Sequence, residues 1–162
     1  MAETVLKVEH LSKSFISGNK RFTAVDDVSF NLEQGECLGI VGESGSGKST
    51  IAKMITRLED VTRGQIFLQD QEITKAKGRT LRNIYQHIQM VFQNPAESFD
   101  PRHTLGDGIG ESLRNMGINP RETKERVEQL LEKCGLDKGF AQRYPHQVSG
   151  GQCQRAAIAR AL

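Results

Sequence analysis

The chain of 162 residues is long enough for one domain of ordinary size or two small ones, and at this length about 70% of the unfolded surface can be buried without disulfides or a structural metal. Hydrophobic residues make up 36% and charged residues 26%, with 16 Gly, 4 Pro and no Trp, a composition that excludes collagen-like, mucin-like and disordered classes. The 22 basic and 20 acidic side chains leave a formal charge of +2, which gives no whole-domain electrostatic footprint for nucleic acid. Cys37, Cys134 and Cys153 lie far apart without ligand spacing and fit a reduced cytosolic interior. No apolar run approaches the ~20 residues that span a bilayer, and Met1-Ala2-Glu3-Thr4 lacks the pattern of a secretory signal.

Val5 to His10 opens a β-run, and Val28, Phe30 and Leu32 alternate with polar residues, as in a strand with one buried face. Glu33-Gln34-Gly35-Glu36 supplies a turn. Cys37-Leu38-Gly39-Ile40-Val41 is apolar without alternation, which predicts a strand covered on both faces in a mostly parallel sheet. The period becomes helical from Lys48 to Leu58, with Ile51, Ile55 and Leu58 on one stripe. Gly64 begins another strand in which Ile66 and Leu68 alternate, Gln69-Asp70-Gln71 turns into Glu72-Ile73, and Ile88 to Phe92 is expected as one more short strand.

After Gln93 the character changes: Asn94-Pro95 and Asp100-Pro101 punctuate a loop, and the remainder reads as helical. Asn119-Pro120-Arg121-Glu122 is a helix start, with Asn as cap, Pro at the first helical position and Glu at the third. The stripe Val127, Leu130, Leu131 and Cys134 follows, and Gly135 stops it. Ser149 can cap a last helix from about Gln152 to Leu162, where no Gly, Asn or Pro closes it, so the chain is expected to stop mid-helix.

Gly42-Glu43-Ser44-Gly45-Ser46-Gly47-Lys48-Ser49-Thr50 fits G-x-x-x-x-G-K-[ST] between an apolar run and a helix, the context a phosphate-binding loop requires. Glycines there let successive backbone N–H groups converge on phosphate oxygens, and the free amides of the helix start add positive potential. Lys48 would reach the β- and γ-phosphates, and the Ser49 hydroxyl would ligate Mg2+. Such a loop alone does not separate kinases, GTPases, helicases and transport ATPases. Ser149-Gly150-Gly151 is a second ready-made anion site at a helix start, although by itself it is also an ordinary N-cap. His10, His87, His103 and His146 have no ligand spacing and read as surface or loop residues.

Val148-Ser149-Gly150-Gly151-Gln152, followed by Gln154-Arg155, resembles the LSGGQ signature of ABC-type ATPases with Val in place of Leu, and Gln93 sits where that family has its Q-loop glutamine. The resemblance implies an α/β fold, with a P-loop NTPase (RecA-like) core, an N-terminal antiparallel β portion and an inserted α-helical subdomain. Expected boundaries are 1–93 for the nucleotide-binding core, 94–148 for the helical subdomain, and 149–162 for the signature and the start of the helix returning to the core. The implied ligands are ATP and Mg2+, with Gly42, Glu43, Ser44, Gly45, Ser46, Gly47, Lys48, Ser49 and Thr50 on the nucleotide and Ser49 and Gln93 on the metal. Lys48 and Gln93 are the implied catalytic residues, and Ser149, Gly150, Gly151 and Gln152 would reach the ATP of a second, head-to-tail subunit. Phe15 occupies the family's adenine-stacking position; a core Phe ending the first strand is the other reading, and Phe22 is a rival for the role.

Phe99-Asp100-Pro101-Arg102-His103-Thr104-Leu105-Gly106 resembles the NPR-x-T-V-G stretch of ATPases serving dipeptide, oligopeptide and nickel importers, with Asp100 where Asn is usual. Arg143 to Gly151 looks like the same branch. The resemblance implies ATP hydrolysis coupled to uptake of peptides or nickel, with a second ABC ATPase subunit in a homo- or heterodimer. It further implies transmembrane permease subunits docked on the helical segment, an indirect link to a substrate-binding protein, no nucleic acid, and a cytoplasmic position on the inner face of the cell membrane. A non-transport ABC ATPase of DNA repair or translation, and a non-catalytic nucleotide-binding module, are the alternatives. The family's hydrophobic strand ending in Asp-Glu and its later switch His are not among these 162 residues. The chain is therefore expected to be cut off before that motif, to hydrolyse ATP negligibly by itself and to expose sheet edges.

Overall fold

The structure, a computed structural model, describes residues 3–162 and divides them into two compact units, one ending at Ile88 and the other running from Gln89 to Leu162. In the first, β1 (Thr4–Ser17) and β2 (Lys20–Glu33) form a long antiparallel hairpin about the two-residue turn Gly18-Asn19. β3 (Arg63–Leu68) pairs with the other edge of β1 and the short β4 (Gln71–Glu72) with β3, giving the order β2-β1-β3-β4 with every pairing antiparallel. Gln69 and Asp70 connect β3 to β4 with φ of 47° and 61°, the left-handed pair that matches the right-handed twist of a tight hairpin.

The apolar side chains of this sheet, Leu6, Val8, Leu11, Val25 and Ile66, cluster with Ile51 and Met54 of α1 (Lys48–Ile55), with Ile84 of α2 (Gly78–Ile84) and with Ile73. Burying a side chain of this size contributes about 1.5–3 kcal/mol, so this cluster is what fixes the helix that follows the glycine-rich loop onto the hairpin. α1 is shorter than the sequence pattern predicts. The Thr56 hydroxyl donates to the Ala52 carbonyl at 2.9 Å and Arg57 takes φ 58°, which ends the helix before Leu58, left 50% exposed. Ile51 and Met54 are its buried residues.

Two expected strands are absent. Cys37 to Val41 and Ile88 to Phe92 run without regular secondary structure, and Leu38, Ile40, Val41 and Val91 are 41%, 41%, 92% and 43% exposed. An unalternating apolar run becomes a buried strand only when neighbours supply a ladder on each side, and among the described residues no strand pairs with either segment.

In the second unit, α3 (Leu105–Asn115), α4 (Pro120–Lys133) and α5 (Gly150–Ala161) pack around Leu105, Ile109, Val127, Leu131, Cys153 and Ala156. Short 3-10 turns cover Pro95–Ser98, Lys138–Gln142 and Pro145–Gln147. α4 starts as the sequence predicts: Asn119 accepts from the Glu122 backbone at 2.9 Å with Pro at the first helical position, and Gly135 at φ 70° closes it. α3 carries a complete capping box, in which the Thr104 side chain accepts from the Asp107 backbone and the Asp107 carboxylate accepts from Thr104. α5 begins at Gly150, two residues ahead of the expected start.

Candidate nucleotide-binding site

The glycine-rich loop owes its shape to one close approach. Gly47, the residue before α1, takes φ 91°, and a Cβ there would lie 2.3 Å from the Ala24 carbonyl oxygen. That carbonyl is presented by a bulge: Lys13 pairs with Val25 and Ser14 with Thr23, so Ala24 is one extra residue on β2. The bulge and the missing side chain let loop and hairpin touch backbone to backbone. A short turn, with the Ser46 N–H donating to Glu43 at 3.2 Å, brings the loop round.

α1 starts without a side-chain cap and with no acidic residue in its first turn. Its leading amides are therefore not answered by a neighbouring side chain and carry the positive end of the helix dipole. The Lys48 ammonium folds over the same loop, donating to the carbonyls of Gly42 at 2.8 Å and Glu43 at 2.6 Å and to the Ser46 hydroxyl at 3.3 Å. Those acceptors are exposed and neutral, so a phosphate oxygen offers the ammonium a stronger partner. Ser49 is exposed and Thr50 half-buried in the first turn of α1, while Glu43, Ser44 and Gly45 line the exposed rim. Uncapped amides, a lysine and two hydroxyls are a donor set that fits a polyphosphate; the exposed Ser49 hydroxyl is a hard oxygen suited to Mg2+.

Phe15 stands near the turn end of the hairpin, directly across from Phe22, with 38% and 63% of their surfaces exposed. It is not a core residue. One face of its ring is covered by the Lys13 ammonium, 4.9 Å from the centroid.

In the second unit, Gln93 is exposed at a bend before the Pro95–Ser98 turn. Ser149 caps α5 within a full capping box: its hydroxyl accepts from the Gln152 N–H at 3.3 Å, and the Gln152 side-chain oxygen accepts from the Ser149 N–H at 2.9 Å. Gly150 and Gly151 are exposed, and a Cβ on either would meet nothing within 4 Å. Neither has a positive φ. Nothing among the described residues requires glycine at these positions, and glycine costs about 1 kcal/mol in a helix relative to alanine. At the far end of α5, Arg160 donates to the Ser98 carbonyl and lies over the Phe99 ring, and Arg155 donates to the Gly135 carbonyl at 2.7 Å.

Two parts of this arrangement escape sequence reasoning. The Ala24 bulge depends on cross-strand register, which no local pattern reports. Lys13 reads as one polar residue among several yet is 8% exposed. Among the described residues no group of His, Cys, Asp or Glu could hold a metal ion, and no helix is long and apolar enough to cross a membrane.

A glycine-shaped loop feeding an uncapped helix with lysine at its first position defines a P-loop nucleotide-binding protein. The chain belongs to the ABC transporter family, whose profile matches residues 25–162. It is 43% identical over 165 residues to the oligopeptide transport ATP-binding protein OppF of Bacillus subtilis strain 168, covering 100% of this chain and 54% of that protein. To the oligopeptide transport ATP-binding protein AppF of the same organism it is 46% identical over 169 residues, with coverages of 99% and 51%. To the di/tripeptide transport ATP-binding protein DppF of Pseudomonas aeruginosa it is 41% identical over 167 residues, with coverages of 99% and 52%. The chain thus spans about half the length of the curated relatives it matches. Among solved structures, the dimeric ATP-binding cassette MJ0796 in a post-hydrolysis state bound to ADP and Pi matches with a TM-score of 0.86 at 30% identity, covering 97% of this chain and 68% of that one. The fold is therefore that of a P-loop ATP-binding cassette, mixed α/β with an antiparallel β portion.

Proposed function

We propose that this chain is the nucleotide-binding part of an ATP-driven peptide importer's ATPase subunit, working on the cytoplasmic face of a membrane. The observation that carries the reading is the uncapped start of α1 with Lys48 folded over the loop Gly42–Gly47, a site built for a polyphosphate. ATP would lie with its phosphates on the amides of this loop, Lys48 on the β- and γ-phosphates, Mg2+ on Ser49, and adenine on Phe15. Bound magnesium supplies charge neutralisation at the terminal phosphate. Peptide is the cargo favoured by the relatives named above, which are oligopeptide and di/tripeptide transport ATP-binding proteins.

The open faces of Gly150 and Gly151 support a head-to-tail pair, in which the Ser149–Gln152 segment of one copy closes on the nucleotide of the other. In the whole protein, closure and hydrolysis would move permease subunits held by the helical unit, and a substrate-binding protein would deliver the peptide. Isothermal titration of the purified chain with Mg-ATP tests the central reading. Saturable binding that Lys48→Ala removes is expected, and absence of binding to the folded chain would refute it.

A further inference from the structure

We infer that Lys13 is a positioning residue for Phe15, holding the aromatic ring from behind so that its open face is set for the nucleotide base. The inference rests on the proposed stacking of adenine on Phe15 and adds to it a residue that touches neither base nor phosphate.

Lys13 is 8% exposed, and its ammonium has three neighbours: it is 2.6 Å from the Glu59 carboxylate, donates to the Asp60 carbonyl at 2.7 Å, and lies 4.9 Å from the centre of the Phe15 ring. Two of its three N–H groups are directed to protein oxygens, which anchors the ammonium over the ring. The bulge opposite Lys13 re-aims the strand at this point, and a bulge beside a site is commonly the device that turns a side chain inward. Among the described residues Phe15 belongs to neither hydrophobic cluster, and its cross-strand neighbour Phe22 is more exposed still. The restraint on its ring that the structure shows is the cation beneath.

Glu59 and Asp60 lie four and five residues past the end of α1, the helix that starts from the phosphate loop. The Lys13 ammonium thus ties the ring to the segment that leaves the end of α1, and so helps to set the distance between base and phosphate sites from inside the first unit. A cation on one ring face also draws π density towards itself and leaves the other face better matched to an electron-rich purine.

The test compares Mg-ATP with Mg-tripolyphosphate, which has the phosphates without the base, on the purified chain. Lys13→Met is expected to weaken Mg-ATP roughly three- to tenfold and leave tripolyphosphate unchanged, with Lys13→Arg restoring most of the loss. Glu59→Gln, which loosens the lysine without removing it, should show a smaller loss of the same selectivity. Lys13→Met added to Phe15→Leu should weaken ATP no further than Phe15→Leu alone. Equal losses for both ligands, or an unfolded Lys13→Met chain, would show that Lys13 serves only the fold and would overturn the inference. So would a Lys13→Met chain with its ATP preference intact. If instead Phe15→Leu leaves that preference unchanged, the adenine reading itself fails, a result separate from any at Lys13.

Discussion

Gly47→Ala puts the closest contact of the loop under direct strain. The substitution adds two penalties of different origin. An alanine at φ 91° sits in the left-handed region, at a cost of about 1–2 kcal/mol. Its Cβ also meets the Ala24 carbonyl oxygen at 2.3 Å, and that oxygen belongs to a strand fixed on both sides by the Lys13–Val25 and Ser14–Thr23 pairs, so it has little room to retreat. Overpacking against so fixed a group costs about 1–3 kcal/mol more. Gly45→Ala is the internal control: its φ of 82° is equally left-handed, but a Cβ there meets nothing within 4 Å. Gly47→Ala should therefore unfold about 1–3 kcal/mol more easily than Gly45→Ala, each kcal/mol lowering the melting temperature by about 2–4 °C for a chain of this size. Thermal unfolding followed by circular dichroism measures the gap. Equal melting temperatures for the two variants would refute the argument that the Ala24 bulge shapes the loop.

At the start of α5, Ser149→Ala breaks the capping box and should cost about 0.5–2 kcal/mol, whereas Gly150→Ala, with open space around it, should gain up to about 1 kcal/mol; urea unfolding of the two variants checks that the signs are opposite. The Thr104 hydroxyl bonded to Asp107 holds that carboxyl below its usual range against the opposing effect of burial, with the Thr104 N–H, Arg114 and His103 adding to the lowering. A depressed folded-state value means that the carboxylate stabilises α3 above the unfolded value of about 3.9 and loses this as pH falls through the folded one. Asp107→Asn should thus be less stable than the parent chain at pH 7, with the difference in melting temperature shrinking below about pH 4. Cys37 is exposed, whereas Cys153 is 2% exposed and burial pushes its thiol up; mass spectrometry after brief iodoacetamide treatment should find Cys37 modified and Cys153 modified only once the chain is unfolded.

What the sequence shows of this molecule is what depends on near neighbours. The start of α1 at Lys48, the Asn119 cap with Pro120, the stop at Gly135 and the Ser149 cap are each written in a few consecutive residues, because a helix end is satisfied locally. The strands foreseen at Cys37–Val41 and Ile88–Phe92 needed partners across a sheet, and a run of apolar residues does not state whether partners exist. α2 is hidden for a different reason: it starts after Lys77 with no side-chain cap and is too short for a stripe to emerge. At the candidate site, the glycines and Lys48 stand out by type and spacing. The Ala24 carbonyl does not, since it follows from a register slip between two strands, nor does the covered face of Phe15, since it depends on where the Lys13 ammonium is held.

In the head-to-tail pair proposed above, the capping box at Ser149 would bear on how fast the nucleotide is engaged. Its oxygen already receives the Gln152 N–H, but a hydroxyl has a lone proton of its own that turns freely about the C–O bond. An incoming anion would find that proton and two open backbone amides in place, with no helix turn to rebuild. Arrival is then a matter of rotating one hydrogen, and the helix that presents it keeps its first hydrogen bonds throughout.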